Sequence, residues 1–91
     1  MNIYNKSTIA LFVRKHSDCK NQLELWYHDV SLKRWKSSKD VKRDFVTASI
    51  IGNNRVVFNV KGNKYRLIAA IDYQRGYVQI KFIGHIPNMI G

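Results

Sequence analysis

The residues most able to do chemistry lie in the second half of the sequence. Arg55, Asn59, Lys61, Lys64, Arg66, Gln79 and Lys81 recur among β-branched and aromatic residues at a spacing of two. In strands that period puts them on one face, opposite Val56, Phe58, Val60, Tyr65, Leu67, Ala69, Ile71, Val78, Ile80 and Phe82. Five cations on one surface repel one another unless a polyanion neutralises them, and nucleic acid is the usual one. Such a surface could also catalyse. Cleavage of RNA by its own 2′-hydroxyl needs a base, cations to hold the charge of the pentacoordinate state, and an acid for the leaving 5′-oxygen. Arg, Lys, His and Tyr suffice. The carboxylates are scattered, so the expectation is chemistry with no metal and no cofactor. His16 and His28 fall on predicted helices and read as structural or solvated.

The elements that would carry this surface follow from periodicity. Ser7 could cap a helix with Ile9, Phe12, Val13 and His16 along one side. Asp18 would start a second, with Leu23, Trp26, Tyr27 and Val30 at helical spacing. Ser37 and Asp40 have the spacing of a capping box for a short third helix through Phe45. Beyond it, β-type runs at 46–51, 55–60, 64–73 and 77–83 are separated by Gly52-Asn53-Asn54, Gly62-Asn63 and Gln74-Arg75-Gly76. Connectors this short force antiparallel pairing. The expectation is one α+β domain over residues 1–91: two to three N-terminal helices on one face of an antiparallel meander.

Composition agrees. Sixteen Lys and Arg against six Asp and Glu give a net charge of +10, while 45% of residues are hydrophobic. A chain of 91 residues has room for one modest core. Cys19 is the lone cysteine, which excludes an internal disulfide and a thiolate zinc site; it reads as a buried small residue. No apolar run approaches the ~18 residues of a membrane span, so a cytoplasmic protein is expected. A second basic region, Lys33 to Lys36 with Lys39, Lys42 and Arg43, could contact phosphates or be a solvated helix end. Trp35 within it reads as a core residue.

The run Arg55-Val-Val-Phe-Asn-Val-Lys-Gly-Asn-Lys-Tyr-Arg-Leu-Ile resembles the signature of HigB-type toxins of the RelE superfamily. His16-Ser17-Asp18, Leu23, Trp26-Tyr27, Trp35-Lys36-Ser37, Asp40-Val41-Lys42 and the strand from Val78 to Gly84 resemble that family too. The resemblance implies a RelE-like fold and a metal-independent endoribonuclease that cleaves mRNA, usually on the ribosome. It implies a cognate helix-turn-helix antitoxin, with operator DNA reached only through the antitoxin complex. Matched to the signature, Asn63 and Arg66 become catalytic candidates, Arg66 as the group that stabilises the phosphorane. Alternation adds Lys64 for charge stabilisation, and Lys61, Arg55, Asn59, Lys81 and Gln79 for binding RNA. Asn59 and Asn63 also suit purely structural roles at a strand end and a turn.

The tail departs from the pattern. The family continues Gly-Thr-His, a variable residue, then Glu-Tyr-Asp, whereas this chain reads Gly84-His85-Ile86-Pro87-Asn88-Met89-Ile90-Gly91. A family-like string GGA-ACA-CAT-ACC-GAA-TAT-GAT-CGG, with one A deleted, becomes GGA-CAC-ATA-CCG-AAT-ATG-ATC-GG, which encodes every residue of that tail. The expectation is a frameshifted ending that costs cleavage, with His85 one position early and aimed at the opposite sheet face. Were the tail native, His85 would be the candidate general acid or base. A coding sequence with no family-like ending in the neighbouring frame would sink the frameshift. Two other functions fit the composition: a non-catalytic RNA- or ribosome-binding module using the same face, and a DNA-binding regulator. The second lacks the Lys/Arg-rich recognition helix it would need.

Overall fold

The computed structural model describes residues 1–62 and 64–85. Asn63 and the tail from residue 86 onward lie outside the described residues. The described chain opens with a strand, β1 (Asn2–Tyr4), followed by helix α1 (Lys6–Lys15), a 3-10 turn (Ser17–Cys19), α2 (Lys20–Ser31) and α3 (Ser38–Asp44). Strands β2 (Ser49–Ile51), β3 (Arg55–Val60), β4 (Tyr65–Asp72) and β5 (Tyr77–His85) follow. The expected α+β architecture is present, with one correction. β1 pairs with β5 in parallel, so the sheet, in order β1-β5-β4-β3-β2, is mixed rather than a pure antiparallel meander. Three residues are too few to show a strand period.

The step from β1 into α1 is made at Asn5, which takes the left-handed conformation (φ 67°) and replaces Ser7 as the residue before the helix. Its side chain does not cap the helix. Nδ2 donates instead to the Ile80 carbonyl at 3.0 Å, continuing the β1–β5 pairing by one rung after the backbone has turned away. In α3, Ser37 makes no side-chain cap, while the Asp40 carboxylate accepts from the Lys36 N–H at 2.8 Å. The anticipated box therefore closes one residue earlier.

The helices and the sheet share one core. Ile9, Leu23, Trp26, Val30, Trp35 and Val41 meet Val56, Phe58, Val60, Tyr65, Leu67, Ala69, Ile71, Val78 and Ile80. Trp35 is buried, as expected, and its indole N–H donates to Asp44 Oδ2 at 2.9 Å. Cys19 is buried as well, and burial pushes its thiol pKa up.

β5 breaks the predicted alternation. Ala69 pairs with Ile80 but Ile68 pairs with Phe82, leaving Lys81 as the extra residue of a bulge. From that point the parity inverts. Phe82, expected in the core, is 51% exposed on the open face, and Ile83 is buried in its place.

Candidate functional site

The β3–β4 hairpin tip holds the first group of candidate residues. Lys61 adopts φ 52°, so strand geometry ends at Val60 and the alternation that placed Lys61 beside Asn59 no longer applies. The Lys61 carbonyl accepts from the Lys64 N–H at 3.2 Å, closing the turn. Both ammonium groups are gathered by Asp18 from the 3-10 turn. Lys64 Nζ lies 2.7 Å and Lys61 Nζ 3.4 Å from Asp18 Oδ2, and the Tyr65 hydroxyl donates to Oδ1 at 2.9 Å. Donation from Lys64, then Tyr65, holds the Asp18 carboxyl well below its usual range. The same carboxylate raises the Lys64 pKa. Burial, then the bond to Asp18, raises that of the Tyr65 phenol, which stays protonated as a donor.

His85 belongs to this group too. It pairs with Tyr65 across β4 and β5, on the helix side of the sheet. Its ring lies 4.8 Å from that of Tyr65 and 5.0 Å from that of His16, between centroids. His16 in turn stacks on Phe12 at 4.4 Å. Two imidazoles, a phenol, two ammonium groups and one carboxylate thus converge where the helices meet the sheet end.

The second group occupies the open face, whose rows follow from the register. Asn59, Arg66 and Gly84 form the first. Ser49, Val57, Ile68 and Phe82 form the next, and Ile51, Arg55, Ala70, Gln79 and Tyr4 the third. Lys81 stands exposed at the bulge. The expected single cationic face is therefore corrected to two sets. Arg55, Asn59, Arg66 and Gln79 share the open face, while Lys61 and Lys64 are drawn to Asp18 and His85 sits with Tyr65. The physical cause is the left-handed backbone of Lys61, with one carboxylate drawing both ammonium groups to itself.

Three carboxylates are paired away from both groups. Asp40 and Asp44 engage Arg43, and Asp44 also Lys33 at 3.7 Å; Asp72 lies 4.0 Å from Arg75. Lys42 donates to the Val46 and Ala48 carbonyls, both at 2.7 Å. Within the second basic region, Lys33 and Arg43 thus pair with carboxylates of α3, and Lys42 ties α3 to the segment that leads into β2. Among the described residues, Arg55, Arg66 and Lys81 have no carboxylate within ion-pair distance. No described helix is long and apolar enough to cross a membrane.

Sequence reasoning missed Asp18 as a site residue, treating it as a helix start, and assigned Tyr65 and Phe82 only to the core. The adjacency of Asp18 to His16 in the family-like motif was the available signal for the first. Nothing local marks the bulge that turns Phe82 outward. Chemically, the open face offers unpaired guanidinium groups to a phosphate chain, and the sheet end offers groups able to accept, donate and neutralise.

Comparison with known families finds a match over residues 19–85 to the model described as HigB toxin, RelE-like toxic component of a toxin-antitoxin system. No curated protein matches the chain.

Proposed function

Because the chain belongs to the HigB toxin family, the RelE-like toxic components of toxin–antitoxin systems, we propose that it is an mRNA endoribonuclease acting on the translating ribosome without a metal. Membership gives it an antitoxin partner; the proposal makes that antitoxin a helix-turn-helix protein, with operator DNA bound only through the complex. In the proposed reaction a substrate 2′-oxygen loses its proton to a base and bonds to the adjacent phosphorus. The P–O5′ bond breaks, and an acid protonates the 5′-oxygen, leaving a 2′,3′-cyclic phosphate.

Arg66 stabilises the phosphorane, with Lys64 supplying further charge. Lys61, Arg55, Asn59, Gln79 and Lys81 hold the backbone, Asn63 is a further catalytic candidate, and His85 is the general acid or base. The observation that carries this reading is the open face itself: Arg55 and Arg66 share it, Lys81 is exposed at the adjoining bulge, and among the described residues none of the three has a carboxylate partner. Incubation of the protein, stripped of metal with EDTA and then desalted, with mRNA-programmed ribosomes tests it. Products ending in 2′,3′-cyclic or 3′-phosphate are expected; intact mRNA after complete binding refutes cleavage by this chain.

One observation favours a second reading, an RNA- or ribosome-binding module without cleavage. His85 is on the helix side against Tyr65 and His16, whereas Arg66 and Gly84 face the other way. The bulge at Lys81 puts His85 there, since unbroken alternation would set residue 85 on the face of Gln79. The same incubation separates the two, since a binder retards RNA without shortening it.

A further inference from the structure

We propose that Phe82 is a stacking platform for an unpaired RNA base, an inference that rests on the reading of the open face as an RNA surface. Three observations lead to it. The bulge at Lys81 turns Phe82 away from the core and leaves it 51% exposed, although burial of a ring this size is strongly favourable. The ring is also supported. Its far edge lies over Gly84, where a Cβ would collide with Phe82 Cζ. Glycine at that position lets the aromatic plane rest on the β5 backbone instead of rotating freely in solvent.

The third observation is what surrounds it. Phe82 leans from its own row onto the one that contains Arg66 and Asn59, with Lys81 beside it in sequence. An aromatic face next to unpaired guanidinium and ammonium groups is the combination that grips single-stranded nucleic acid: cations follow the phosphates while the ring takes a base. Charge complementarity favours RNA over a protein partner, since Arg66, Arg55 and Lys81 await an anion on both sides of the ring. Stacking is tolerant of base identity, so the platform positions a nucleotide and does not select one.

The test is fluorescence anisotropy with a labelled single-stranded oligo(A) RNA and a matched backbone of abasic units, at fixed salt. The wild type is expected to bind the RNA more tightly than the abasic chain. F82A should weaken RNA binding roughly 5- to 150-fold and leave abasic binding unchanged. F82L, which keeps apolar bulk over Gly84, should resemble F82A, and F82W should retain affinity. In F82W the new indole should also be quenched by RNA, because Trp26 and Trp35 are buried. Equal RNA affinity in wild type, F82A and F82L overturns the platform while leaving the RNA surface intact. No RNA binding by the wild type overturns both. Weakened antitoxin binding with unaltered RNA binding in F82A assigns the ring to a protein partner and likewise overturns the platform.

Discussion

The Tyr65 hydroxyl donates to Asp18 Oδ1 at 2.9 Å across 47 residues of sequence, and that bond ties the turn between α1 and α2 to the first residue of β4. With Lys61 and Lys64 on the same carboxylate, it makes Asp18 the organiser of the hairpin tip. Any substrate phosphate that takes these lysines must compete with Asp18 for them.

The clamp has a pH signature. The Asp18 pKa is depressed in the fold by its bonds from Lys64 and Tyr65. A depressed carboxyl contributes stability that is present above its unfolded value, about 3.9, and lost as pH falls toward the folded one. Lys64 is raised, so its share is present below about 10.4 and lost at higher pH. Scanning calorimetry from pH 6 to pH 2 should show Tm falling below about pH 4, with a shallower fall in D18N. Identical profiles for the two proteins would count against the clamp.

The inverted parity of β5 can be read from core energetics. Ile83 is 7% exposed and Phe82 is 51% exposed. I83A should lose about 2–5 kcal/mol, whereas F82A should lose less than about 1 kcal/mol, both by urea denaturation. The reverse order would mean that regular alternation persists through residue 82.

Asn5 carries a local prediction. N5A removes the bond to the Ile80 carbonyl and places alanine at φ 67°, two penalties of about 1 kcal/mol each. N5G removes the bond but relieves the backbone, so it should lie between N5A and the wild type in thermal melts.

Binding and chemistry separate at Arg66 and His85. R66A should reduce the slope of log K against log salt by about 0.7, one single-strand phosphate contact. Where cleavage is measured, R66A should also slow it by about 10²–10³-fold. H85Q should slow cleavage about 10²–10⁴-fold with RNA affinity retained if His85 transfers a proton. A threonine inserted between Gly84 and His85 would carry the imidazole to the Arg66 face. Faster cleavage by that insertion variant is the expected result if the present ending is frameshifted.

Periodicity made the helices and the four antiparallel strands legible, because Leu23, Trp26 and Val30, or Val56, Phe58 and Val60, each mark one face with a regular step. It failed where geometry is not periodic. β1 is too short to alternate, and the bulge adds a residue that no side chain announces. Lys61 carried the strand argument one residue too far, since its left-handed backbone redirects the side chain toward Asp18. The open-face residues Arg55, Asn59, Arg66 and Gln79 were legible as a set; the carboxylate that divides the other cations from them was not, because its partner residues lie more than forty positions away.

β5 lies between β1 and β4, so the sheet's interior is completed by the last of its described strands to emerge during synthesis. Asn2 must wait for Tyr77 before it can pair. A nascent chain halted before that point lacks β5, and with it the partners that Arg66 finds in Gly84 and Tyr65 in His85. The rows of the open face and the cluster around Tyr65 are therefore complete only once β5 has joined β4 and β1.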